Sequence, residues 1–255
     1  STGYVGTNLF DVSGHYADLS IATLTLGAST TRVGAATADF KFDTGVATIT
    51  SLVMSPAKTS GGTLTSNFIV GGGVVNLGSG GVNLGAGASG GAAGNSNLNL
   101  NGGVVTINGN IFRLAGSGLG VVNVNGAVVD FTGKAVGTGQ HVFFNAQAGT
   151  VRNLGSLNGP AGGLTKTTAG ALTLDGTNAF AGGLSVLGGS VIAAGDVALG
   201  AVPTAASPGN IALYDGTQFV AAGSFTLNAN RGLSLLGSAT VSAVGGANLT
   251  YAGAV

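Results

Sequence analysis

The sequence predicts an all-β protein, a right-handed parallel β-helix (β-solenoid) of about ten coils, each of roughly 20–30 residues. Three observations lead there. A strand–glycine–strand pattern recurs through the first half of the chain. Gly fills 50 of 255 positions, Glu is absent and Lys and Arg total 8, so the residues that favour helices are scarce. The apolar residues are mostly Val, Leu, Ile and Ala set among Gly, Asn, Thr and Ser, which suits short strands and tight turns. A hydrophobic fraction of 44% and a mean hydropathy of +0.50 make the chain apolar enough to collapse.

The first strand of the pattern begins at Phe10, Phe40, Phe68, Leu98 and Val122, and two residues on stand Val12, Phe42, Val70, Leu100 and Val124. Both columns are apolar. Between them lie Asp11, Lys41, Ile69, Asn99 and Asn123, mostly polar, so the strand alternates with one face inward. A glycine-rich bend follows, as in Gly71-Gly72-Gly73 and Gly102-Gly103. Alternation then restarts. Ala17, Ala47, Val75, Val105 and Val129 form one expected inward column, and Leu19, Ile49, Leu77, Ile107 and Phe131 the next. Between these, Asp18, Thr48, Asn76, Thr106 and Asp130 are expected to face water. One such unit cannot bury its own apolar face, but stacked units can, pairing in parallel at about 4.8 Å per coil. Parallel crossovers are overwhelmingly right-handed, and about ten coils make a rod on the order of 50 Å long.

The texture changes near residue 162, which divides the chain into degenerate repeats (1–161) and further coils of the same solenoid (162–255). Gly162-Gly163-Leu164-Thr165-Lys166-Thr167 leads into Gly170-Ala171-Leu172-Thr173-Leu174-Asp175-Gly176-Thr177-Asn178, then Phe180-Ala181-Gly182-Gly183-Leu184 and Gly188-Gly189-Ser190-Val191-Ile192. This stretch closely resembles the autotransporter-associated β-strand repeat of bacterial surface proteins. Phe225–Gly232 and Leu249–Gly253 look like segments that follow that repeat. The resemblance implies a parallel β-helix exported through the envelope, within a longer chain, with no catalytic residues to carry over. A further repeat is expected after Tyr251-Ala252-Gly253, so the chain reads as a fragment or processed module.

Eight acids, all Asp, balance eight scattered bases, which does not favour nucleic-acid binding. No apolar run approaches the length of a membrane helix, and Ser1–Gly6 does not open like a signal peptide. The absence of Cys removes disulfide and redox chemistry.

No constellation for catalysis, a cofactor or a metal emerges. Asp39 and Asp43 fall on one strand face about 13 Å apart, too far for a working carboxylate pair. Asp11 and Lys41 share a column and are expected to form an exposed cross-strand ion pair. Asp18 and Asp130 share a column too, but Thr48, Asn76 and Thr106 separate them. His15 and His141 read as exposed turn residues. Gly87–Gly91 fits Gly-x-Ser-x-Gly and Gly85–Gly90 fits a dinucleotide fingerprint, but both need a helix next, and Ala92–Asn97 is turn-like. Gly133-Lys134 is followed by Ala135, so no phosphate loop forms. Asn99, Asn101, Asn123 and Asn125 are expected to stack as amide ladders. The threonines around Leu24, Ile49 and Leu64 fall out of register and do not make an ice-binding rank.

The expected role is therefore a non-enzymatic extracellular or cell-surface module, structural or adhesive, with a surface glycan or protein as ligand. The alternatives are a fibre subunit self-associating through its ends, and a carbohydrate-active β-helix enzyme, which needs acids or bases clustered on one face. No cofactor and no membrane-spanning segment are expected.

Overall fold

A computed structural model describes residues 6–27, 35–56, 62–85, 94–114, 116, 118–253 and 255. Its paired strands are parallel and stack as a β-solenoid. Seventeen strands join in one network, and a second sheet combines Leu164–Lys166, Leu184–Val186, Ser207–Tyr214 and Arg231–Leu236. Phe225–Leu227 and Leu249–Tyr251 form a third. Among the described residues the one helical element is a short 3-10 turn, Asp196–Leu199.

The alternation read from the sequence sets the register. Phe10 pairs with Phe40, Phe40 with Phe68, Phe68 with Leu98 and Leu98 with Val122. Phe42, Val70, Leu100 and Val124 form the neighbouring column. All of these are buried except Phe10, which is half exposed. Val12 lies just beyond its strand, Gly6–Asp11, and is partly buried. Both sit in the first described rung. After the bend, Ala47, Val75, Val105 and Val129 align, as do Ile49, Leu77 and Ile107. Phe131 is buried.

The first repeat departs from the expected alignment. Ala17 pairs with Gly45, Leu19 with Ala47 and Ile21 with Ile49. Leu19 therefore belongs one column earlier than predicted, and Ile21 takes its place above Ile49. The bend from Ser13 to Tyr16 holds two more residues than its counterpart at Asp43-Thr44. A slip of two keeps every side chain on its face, so Leu19 still packs against the core. The same shift removes Asp18 from the polar column: it stands against Val46, and Ser20 stands against Thr48.

One inward column threads the whole described chain. It runs Leu19, Ala47, Val75, Val105, Val129, Val151, Leu174, Ala193, Ala221, Ala243. The change of texture near residue 162 does not interrupt it. Two glycines show why the bends tolerate little else. A Cβ on Gly45 (φ +105°) would meet the Ala17 carbonyl oxygen at 2.0 Å, and one on Gly103 (φ +75°) the Gly73 oxygen at 2.4 Å.

Candidate functional site

The outer face of the Phe40–Phe68–Leu98 sheet carries the most organised polar chemistry. Asn67 donates its side-chain amide to the Asp39 carboxylate at 2.7 Å, and Asn97 donates to Asn67 at 2.8 Å. Beside this runs a second ladder. Asn123 donates to Asn99 at 2.7 Å, and Asn145 to Asn123 at 2.8 Å. Strand alternation puts Asn97 and Asn99 on the same face, so the ladders lie side by side. An amide has two N–H donors and an oxygen with two lone pairs. Each ladder bond uses one donor and one lone pair, which leaves hydrogen-bonding capacity directed to solvent. The exposed Phe143 continues the first row beyond Val121. Its ring meets His141 edge-on at 4.9 Å.

The expected ladder is thus partly realised. Asn99 and Asn123 stack, and Asn145 extends them. Asn101 and Asn125 do not join: Asn101 lies past the end of its strand, and Asn125 pairs with Ala148 after a bulge. The Asp39–Asn67–Asn97 ladder had a readable signal, since all three occupy the outward position just before the first Phe or Leu of their repeats.

Asp11, Asp39, Asp43 and Asp130 make structural contacts. Lys41 reaches Asp11 at 3.3 Å. The Ser13 hydroxyl and backbone N–H, with Lys41, hold the Asp11 carboxyl below its usual range. Asp43 accepts the Gly14 N–H with both oxygens at 2.9 Å, while Asp39 heads a ladder, so the two acids serve separate contacts. Asp130 accepts the Thr132 N–H at 2.8 Å and the Asn153 amide at 3.0 Å. His15 is exposed in its bend, and His141 lies 3.3 Å from the Asn158 amide nitrogen. Among the described residues no three His, Cys, Asp or Glu gather to hold a metal ion. Residues 86–93 of the two glycine motifs lie outside the described residues. Thr23 stands against Ser51, and Thr48 between Ser20 and Asn76, so no threonine rank forms.

Two buried cations were not legible. Lys166 stands in an inward column with Val186, Leu213 and Leu235 and is itself fully buried. Its ammonium donates to the Thr168 carbonyl, to Thr168 Oγ1 at 3.0 Å and to the Gly188 carbonyl at 3.2 Å. Burial pushes this ammonium below its ordinary range. Arg231, also fully buried, donates to Asp196 Oδ1 at 2.9 Å, Gly200 O at 2.7 Å and Asn210 Oδ1 at 3.2 Å. It ties the loop around the 3-10 turn to the core.

Two apolar features remain. Val46, Val74, Val104 and Val128 stack in one outward column, with Val74 and Val104 exposed. The first described rung leaves a cavity of about 430 Å³ open beside Phe10 and Leu24.

No family model, curated protein or solved structure matches this chain. Among the described residues, no helix is long and apolar enough to cross a membrane.

Proposed function

We propose that this chain is a non-enzymatic, right-handed solenoid rod that acts outside the cell, as a structural or adhesive module of a bacterial surface or secreted protein. The carrying observation is the inward column from Leu19 to Ala243. Parallel rungs in one register make a stiff spacer, which suits projection of a surface away from its attachment point. The amide ladders give that spacer a polar face for a neutral ligand such as a surface glycan. The resemblance of Gly162–Ile192 to the autotransporter-associated repeat supports the bacterial surface setting.

Immunogold electron microscopy of the native cells tests the reading. Label on the outer surface or on shed material is expected. Label confined to the cell interior overturns it.

A further inference from the structure

Phe143 is a large apolar ring held in place on an open surface. It is 46% exposed on the outer face of the sheet, one rung beyond Val121. Its surroundings brace it. The His141 ring meets it edge-on, with centroids 4.9 Å apart and planes at 72°. His141 in turn lies 3.3 Å from the Asn158 amide nitrogen. Asn158 is tied to the backbone of the fully buried Val142: its side-chain oxygen accepts the Val142 N–H at 2.9 Å, and its amide donates to the Val142 carbonyl at 2.9 Å. An aromatic ring with few rotatable bonds on an anchored backbone loses little conformational freedom when something packs on it.

The row beside the ring is made of amides. Asn145 stands two residues further along the same strand on the same face, about 7 Å from Phe143 by strand rise. Asn145, Asn123 and Asn99 follow one another rung by rung at about 4.8 Å. Phe143, Val121 and Asn97 run parallel to them in the next column. An apolar strip therefore lies alongside a polar one. Among the described residues nothing bonds to the side-chain oxygens of Asn145 and Asn97 or to the amide nitrogen of Asn99, so donors and acceptors are both available. None of these six positions carries a charge.

Such a surface selects its ligand by chemistry. A pyranose ring presents C–H groups on its faces and hydroxyls, each both donor and acceptor, around its rim. A phosphate or carboxylate would find no cation at these six positions to offset its lost hydration. An apolar segment would cover the amides and leave them unpaired. The sheet face is flat, and chains of β-linked glucose are flat ribbons with apolar faces and hydroxylated edges. We propose that Phe143 is the stacking platform of a binding site for a neutral, β-linked hexopyranose chain. The chain lies along the solenoid axis, with one sugar on the Phe143 ring and its hydroxyls on Asn145, Asn123 and Asn99. The proposal rests on the amide face being a glycan surface, and it adds the platform, the sugar geometry and the direction of the chain.

Cellohexaose and the purified chain test it. Isothermal titration is expected to show saturable binding with a Kd of about 1 mM or tighter. Phe143→Ala is expected to weaken binding at least about tenfold, with an unchanged circular dichroism spectrum. Asn145→Ala is expected to weaken it about three- to fivefold. The chain has no Trp, so Phe143→Trp places its one indole at the site. The fluorescence of that variant is expected to shift to the blue and to saturate as cellohexaose is added. Phe143→Leu keeps an apolar side chain without a ring and is expected to bind as weakly as Phe143→Ala. No saturable binding up to about 10 mM overturns the proposal. So does binding that Phe143→Ala leaves unchanged, or tighter binding of carboxymethylcellulose, which carries carboxylates on the same backbone. These outcomes are read on pure protein, so they are separate from the location of the chain that immunogold labelling reports.

Discussion

Asn67 links two rungs through a single amide: it donates to Asp39 at 2.7 Å and accepts from Asn97 at 2.8 Å. The carboxylate at the head makes the first bond charge-assisted, and a chain of such bonds polarises along its length. Asn67→Ala is expected to cost about 1 kcal/mol in chemical denaturation. Asn67→Asp is expected to cost at least as much at pH 7, because it sets two carboxylates against each other.

Arg231 is the buried group on which most depends. Arg231→Met leaves the Asp196 carboxylate with the Asn228 N–H alone and strands the carbonyl oxygens around Gly200, so a loss of about 3 kcal/mol is expected. Arg231→Lys is expected to restore little, since one ammonium cannot reach acceptors arranged for a guanidinium fork. Thermal melts of the two variants check both statements.

Lys166 gives stability a signature at high pH. Its folded pKa lies below the ordinary value of 10.5, so the unfolded chain binds the proton more tightly. Relative to Lys166→Met, the natural protein is expected to gain stability as pH rises from its folded pKa towards 10.5, and to lose that gain as pH falls back. Urea titrations of both proteins at pH 7, 9 and 10.5 read the difference.

Asp11 acts at the opposite end of the scale. Its pKa is lowered from 3.8 by Ser13 first and Lys41 after, so the stabilisation it gives is present above 3.8 and fades as pH falls through the lower folded value. Asp11→Asn is expected to be less stable than the natural protein near neutral pH and to match it in strong acid. The gap at neutral pH is small because the carboxylate is well solvated, and added salt narrows it further.

The fold was legible where period-two alternation and glycine bends coincide, as from Phe40 to Val129. Alignment failed at Leu19 because bend length is set by local turn chemistry, and the columns do not record it. Beyond Leu174 the inward positions shrink to Ala193, Ala221 and Ala243 and the steps between them are uneven, so no column stood out by letter alone. Of the polar face, Asn99 and Asn123 were readable because they fall at one position of adjacent repeats. Lys166 and Arg231 were not, because a cation among Thr, Gly and Asn reads as solvated until the carbonyl oxygens around it are placed.

The column from Leu19 to Ala243 also fixes how the molecule answers tension. Among the described residues each strand pairs with strands of the neighbouring coils, so cohesion is local and arranged in series. Pulled from its two ends, such a chain peels from an extremity, one coil per event. Each event lengthens the tether by the contour of that coil, on the order of 70–100 Å for roughly 20–30 residues. The same coil-on-coil stacking lets the solenoid pay out slack stepwise under load, as a shock absorber does.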